Sequence, residues 1–321
     1  MTSVIIHALA PIFVIMLLGY LAGKTKMVDN TNVVLLNIFV MDFALPVALF
    51  SATVKTPWSG IIHQWPLIVI LTLSMWIAYF AIYFICTKWF GKSAQDSAVL
   101  TLTVALPNYA ALGLPILASV FGSSSSTLLS VAVSIACGSV LMTPFCLLIL
   151  EREKAKQSGQ EQGSTLSLLP VLMWRSVKKP IVWGPLLGVL FSAIGLHMPH
   201  LLLRAIKPLG ISATATALFL TGLILSARKL KINRAVIVSC LTKNLFQPLV
   251  AWGLVVAFGI TGPVAVTSIL MIALSAGFFG VVFGNRFGVQ SPDAEAALLL
   301  SSVLCILSLP LFISLTSGML H

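Results

Sequence analysis

Residues 105 to 115 read Ala105-Leu106-Pro107-Asn108-Tyr109-Ala110-Ala111-Leu112-Gly113-Leu114-Pro115, two prolines and an asparagine inside a long apolar run. Pro107 removes a backbone donor and its ring clashes with the preceding turn, so the run predicts a broken helix. Asn108 can hydrogen-bond the freed backbone or a ligand. A second run, Ser275-Ala276-Gly277-Phe278-Phe279-Gly280-Val281-Val282-Phe283-Gly284, is loosened by three glycines. Each break creates a half-helix N-terminus with unpaired N–H groups and about half a unit of positive charge. Two such ends meeting near the middle of a membrane make an anion site without a buried arginine. Simpler readings stand beside this one: an ordinary proline bend in the first run, and glycines serving close helix packing in the second.

Ionisable residues inside apolar runs are few: Asp42, Lys243 and, near the end of its run, His7. Asp or Lys at a bilayer centre costs about 2.5–3.5 kcal/mol on insertion scales, so these side chains must face protein or water. Asp42, five residues after Asn37 and four before Pro46, is a candidate proton or cation site; its carboxyl can equally be bonded to backbone freed by Pro46. Lys243, followed by Asn244, Gln247 and Pro248, supplies a cation for an anionic substrate or pairs with a carboxylate. It can equally be a structural lysine bonded to backbone carbonyls. His7 is read as an interfacial residue without a role. Cys86, Cys137, Cys146, Cys240 and Cys305 share no metal-ligand spacing and read as core-filling residues, so no metal or cofactor is expected beyond a coupling proton or sodium. No HExxH, no paired intramembrane Asp motif and no phosphate loop is present, which argues against an enzyme.

The elements that must position these residues follow from composition. The chain has 321 residues, 59% hydrophobic and only 8% charged, with mean hydropathy +1.07. Soluble domains carry about a quarter charged residues, so a soluble globular protein is excluded. Apolar runs of about 20 residues match a hydrocarbon core about 30 Å thick. Ten spans are predicted, at 3–22, 32–53, 66–87, 95–120, 127–150, 180–197, 208–227, 235–258, 262–285 and 294–316. The first has no basic segment before it and is too long for a signal peptide's apolar region, so it stays as a helix.

The net charge of +11 is read against topology. Of the 19 Lys and Arg, fifteen fall in one set of alternate connections, Lys55, Arg204 and Lys207 fall in the other, and Lys243 lies in a span. That asymmetry places both termini outside. No basic tract carries interleaved aromatics, so nucleic acid is not a partner. The connection 151–179 begins polar and becomes amphipathic through Leu166, Leu168, Leu169, Leu172 and Trp174. It is read as a helix on the cytoplasmic surface or as a flexible linker. It separates 1–150 from 180–321, five spans each, and an odd number forces the halves into opposite orientations. Leu17-Leu18-Gly19 recurs as Leu186-Leu187-Gly188, Ala105-Leu106 as Ala273-Leu274 and Pro144 as Pro310, at offsets of 169, 168 and 166 residues. The fold class is therefore an all-α polytopic membrane protein, ten transmembrane helices in two inverted five-helix repeats, with the fourth and ninth broken.

Leu17-Leu18-Gly19-Tyr20, the stretch from Asn37 to Phe50, LPNYAALGLPI from Leu106, KNLFQP from Lys243 and SAGFFGVVFGNRFGV from Ser275 together resemble the auxin efflux carrier family, most closely its bacterial malonate carriers. The resemblance covers the whole chain. It implies that spans one, two, six and seven form a scaffold that pairs into a homodimer, while spans three to five and eight to ten form a transport unit moving like an elevator. It also implies that spans four and nine cross at their breaks, with Pro107, Asn108 and Tyr109 on one side and Ser275, Ala276 and Gly277 on the other. Asp42 departs from the family, where an uncharged residue is common. The expected function is secondary transport of a small carboxylate, malonate above others, in a bacterial inner membrane, with one carboxylate at the crossover and the second near Asn37 or Lys243. Another organic-anion carrier, a channel, a non-transporting sensor and a membrane enzyme are the alternatives.

Overall fold

A computed structural model describes the chain apart from residues 1, 56–57, 59–62, 123, 158–169, 172–173, 175–177, 197, 228–230 and 320–321. The surface helix expected within 151–179 falls mostly outside the described residues, as does the side chain of His7. The described residues are helical and contain no β-strand, which is what a bilayer dictates, since helices satisfy their own backbone groups. In order these are α1 (Thr2–Lys24), α2 (Val34–Ile38), α3 (Leu45–Thr53), α4 (Trp65–Phe84), α5 (Ala94–Ala105), α6 (Leu114–Phe121), α7 (Ser125–Ala136), α8 (Thr143–Gln157), α9 (Pro180–Ala193), α10 (His200–Ala227), α11 (Arg234–Leu241), α12 (Gln247–Ala257), α13 (Gly262–Ala273), α14 (Phe279–Arg286) and α15 (Pro292–Thr316). Among the described residues six helical stretches are long and apolar enough to cross a membrane: Val34–Ser51, Trp65–Trp89, Ser125–Lys154, His200–Ala227, Arg234–Ala257 and Pro292–Met319. Phe13–Lys24, Tyr109–Phe121, Pro180–Ala193 and Gly262–Ala273 are shorter apolar helices.

Several of the long stretches are α-helices joined through a π-helical turn. The π segments Phe39–Ala44, Tyr109–Gly113, Cys137–Met142 and Thr242–Phe246 each end two residues before a proline, at Pro46, Pro115, Pro144 and Pro248. Proline cannot donate, and its ring presses on the carbonyl one turn back. One extra residue in the preceding turn moves that carbonyl aside, so the helix bulges and continues.

The chain divides into two compact units. Unit 1 comprises residues 1–68, 109–135 and 178–228. Its helices meet through small residues, the packing expected where lipid supplies no hydrophobic drive. A methyl group at Gly19 would overlap the Phe219 carbonyl, and one at Gly222 the Met16 carbonyl, so the backbones of α1 and α10 touch. Gly184 and Gly188 bring α9 onto Pro46 and Thr53 of α3, and Phe50 meets Phe191 edge-on at 6.2 Å.

Unit 2 comprises residues 69–108, 136–177 and 229–321. Gly280 lets α14 lie against Val99 and Thr103 of α5, where any side chain would collide. At one end three helix starts converge, α5, α11 and α15, capped by Ser93, Asn233 and Ser291. Lys92 ties them together, 2.9 Å from Asp96 and 2.6 Å from Asp293. Asn233 donates to Asp293 at 2.7 Å, and the Ser291 hydroxyl donates to Asp96. Burial disfavours the Lys92 charge, but hydrogen bonds and attraction from Asp293 and Asp96 outweigh it and hold the amine above the usual lysine value.

Candidate functional site

Helix α5 stops because Pro107 follows Leu106, which is forced into an extended conformation at φ −94°, ψ 108°. Helix α13 stops at Leu274, φ −59°, ψ 158°. The two extended segments run past each other within unit 2, and Pro107 faces Ala276 as an antiparallel pair. Asn108 N–H donates to the Ser275 carbonyl at 2.9 Å, and Gly277 N–H to the carbonyls of Leu106 at 2.9 Å and Thr103 at 3.0 Å. A methyl at Gly277 would sit 2.5 Å from the Leu106 oxygen, so only glycine allows this approach.

A broken helix leaves its last carbonyls without partners, and in a membrane each needs one. Side chains within unit 2 supply several of these partners. Lys243 lies in the π turn Thr242–Phe246 and donates to the Ile272 carbonyl at 2.8 Å and to Gln247 Oε1 at 2.7 Å. Gln247 Nε2 donates to the Ala105 carbonyl at 2.7 Å. The Cys305 thiol points to the Ala273 carbonyl at 3.8 Å. A lysine–glutamine pair on one helix thus holds the C-terminal ends of both α5 and α13. On α15, the Ser301 hydroxyl donates to Asn244 Oδ1 at 2.7 Å and accepts the Ala276 amide at 2.9 Å. Asn244 Nδ2 donates to the Ser301 carbonyl and the Ser308 hydroxyl, both at 3.1 Å.

Two neighbouring side chains at the crossing are left over. Asn108 is 2% exposed and Ser275 fully buried, and among the described residues neither Asn108 Nδ2 nor Oδ1 nor the Ser275 hydroxyl has a partner. Buried polar groups are rarely left this way, because each costs stability. Tyr109, also buried, opens the π turn that restarts the helix.

The structure therefore brings Pro107, Asn108, Ser275, Ala276, Gly277 and Lys243 together in unit 2. Two of the expected groups already have hydrogen-bond partners. Lys243 is fully buried, among the described residues is in no ion pair, and donates to a backbone carbonyl. The amides of Ala276 and Gly277 are spent on Ser301, Leu106 and Thr103. Asn37 and Asp42 lie in unit 1. Asn37 Oδ1 is buried without a partner, while Asp42 is exposed within the π turn Phe39–Ala44 and among the described residues has no hydrogen bond to backbone near Pro46. Ser301 and Ser308 were not anticipated. Their seven-residue spacing, with Cys305 between them, marks one polar stripe on an apolar helix and was the available signal. Among the described residues no group of three or more His, Cys, Asp or Glu could hold a metal.

The model of a family described as membrane transport protein matches residues 4–313. An uncharacterized transporter of Escherichia coli (strain K12), YfdV, is 26% identical over 313 residues, 98% of each chain. An uncharacterized transporter of Methanothermobacter thermautotrophicus is 28% identical over 320 residues, 94% of this chain and 95% of its own. The lysosomal cholesterol signaling protein of Mus musculus is 27% identical over 265 residues, 75% of this chain but 29% of its own.

Proposed function

The chain belongs to the membrane transport protein family, that of the auxin efflux carriers, and we propose that it is a secondary carrier of a small carboxylate, with malonate the first candidate. The observation that carries this reading is the pair of unpartnered side chains at the crossing, Asn108 and Ser275. A carboxylate can accept from Asn108 Nδ2 and from the Ser275 hydroxyl, while Asn108 Oδ1 requires a donor. A singly protonated diacid supplies both functions in one molecule. Within unit 2, the first turn of α14, which restarts after Gly277, adds amide N–H groups without intrahelical acceptors.

In this reading six long and four shorter apolar helices form ten spans in two inverted repeats, and motion of a transport unit against a scaffold exposes the crossing to either side of a bacterial inner membrane. Both termini face outward and scaffolds pair into a homodimer. Asp42, a carboxylate exposed within a span, is the candidate for coupling to a proton or sodium gradient.

The test is uptake of labelled malonate into proteoliposomes. Saturable uptake, abolished by Asn108→Ala in a protein that still folds, is expected. Transport of other dicarboxylates without malonate removes the substrate and keeps the carrier; unchanged affinity in Asn108→Ala removes the site. If Asp42 carries the coupling proton, Asp42→Asn flattens the pH dependence of uptake, and an unaltered profile ends that assignment. Ligand binding with no flux would favour a sensor, the role suggested by the name of the mouse relative.

A further inference from the structure

Unit 1 contains a second site of different chemistry, a cavity of about 360 Å³ framed by α3, α6, α7 and α10. Its walls are mainly apolar: Leu114 and Pro115 on α6, Leu128 on α7, and Leu203 and Ile211 on α10. Three polar residues interrupt them, Lys55, Lys207 and Ser51, and the Ser51 hydroxyl is buried without a partner. Ala48 and Ser51 line it at i, i+3 on α3, with Lys55 in the turn just after that helix, and Leu203, Lys207 and Gly210 line it at i, i+4, i+7, so one stripe of α10 faces inward. Among the described residues no acidic side chain lines the cavity and neither lysine forms an ion pair.

Lys55 and Lys207, with Arg204 one turn from Lys207, are the three basic residues that the charge count separates from the fifteen on the opposite side. Positive charge is scarce on that side, yet two of the three residues line one cavity. Trp58 follows Lys55 by three residues and is 45% exposed, an interfacial aromatic that sets this end of the cavity at headgroup level. Ile211, 66% exposed, and Leu202, 51% exposed, continue the α10 wall as apolar surface, so that wall merges with the face offered to acyl chains.

We propose that this cavity binds an anionic phospholipid, its phosphate diester held between Lys55 and Lys207 and one acyl chain lying along the apolar walls. The charge is complementary, the level is that of a headgroup, and the lining suits a chain rather than a small diacid. This ligand is distinct from the carried carboxylate, and the site stands independently of the crossover.

The experiment is native mass spectrometry of the purified full-length protein exchanged into detergent with phosphatidylglycerol or phosphatidylcholine. At least tenfold preferential retention of phosphatidylglycerol is expected. Lys55→Gln/Lys207→Gln should abolish the preference and Lys55→Arg/Lys207→Arg should keep it. Ala118→Trp, which fills the cavity without changing its charge, should also abolish retention, with a melting curve confirming that each variant is folded. Equal retention of the two lipids, or a preference that survives either Lys55→Gln/Lys207→Gln or Ala118→Trp, overturns the proposal. Displacement of the lipid by equimolar laurate would make this a carboxylate site, and equal displacement by inorganic phosphate would show that the apolar walls play no part; either result also overturns it.

Discussion

Replacing Asn108 with valine should make the empty protein more stable while ending its use as a carrier. Asn108 is 2% exposed, and among the described residues both polar atoms of its amide lack partners. Burying an unpaired amide costs about 1–3 kcal/mol in proteins. Valine removes that cost, and its β-branched side chain suits the extended backbone between α5 and the following π turn. The bond from the residue 108 amide to the Ser275 carbonyl, 2.9 Å, uses no side-chain atom and survives. The gain of about 1–3 kcal/mol, at roughly 2 °C per kcal/mol for a chain of this size, raises the melting temperature of ligand-free protein by about 2–6 °C. On the binding side, a hydrogen bond to a charged group contributes about 1.5–3 kcal/mol, so affinity for the carboxylate falls roughly 10- to 150-fold. Tryptophan-fluorescence melting with and without malonate, alongside proteoliposome uptake, reads both effects. A ligand-free valine variant melting several degrees below wild type would show that Asn108 holds the empty crossing together, and the reasoning would be refuted.

Gln247→Leu strands the Ala105 carbonyl and takes one acceptor from Lys243; with intramembrane bonds averaging about 0.6 and reaching about 1.7 kcal/mol, it should cost about 1–3 kcal/mol, seen as a lower melting temperature and reduced uptake. Gly222→Ala pushes a methyl into the Met16 carbonyl and should destabilise by about 3 kcal/mol or more, whereas Gly253→Ala meets nothing within 4 Å and should stabilise by about 1 kcal/mol through helix propensity; equal melting temperatures for the two would contradict the packing described. Lys92→Met should cost about 2 kcal/mol. Because Lys92 is held above the usual lysine value, this contribution is complete at neutral pH and disappears only as pH rises past about 10.4 into the raised range. Melting curves of both proteins from pH 6 to 11 should run parallel and then converge, and a gap that closes below pH 9 would contradict that sign.

The breaks were legible because Pro107 and the glycines from Gly277 onward announce what the backbone can do without reference to any partner. The hydrophobic runs were legible for the same local reason, although α10 begins at His200, eight residues before the predicted start, with Pro208 inside it. For Lys243 a bond to backbone carbonyls was one of the readings, but which carbonyl it meets was not legible. Its partner is the carbonyl of Ile272, and a carbonyl becomes available only after another helix has broken 29 residues away. Ser301 stayed hidden because a serine in an apolar helix usually bonds its own preceding turn, and only the fold brings the Ala276 amide to it. The prolines at 46, 115, 144 and 248 are plain in the sequence; that each follows a π turn depends on how the turn before it repacks, which hydrophobic periodicity does not encode.

The chain of bonds from Ile272 through Lys243 and Gln247 to Ala105 has a mechanical corollary. Both severed ends are moored to the same stretch of one helix, so shifting either strand drags the other, and the saddle they form resists being pried open. Under the proposed carrier function, cargo would leave as the saddle as a whole changes its surroundings, and a molecule built to wedge the strands apart would press on bonds that share one anchor.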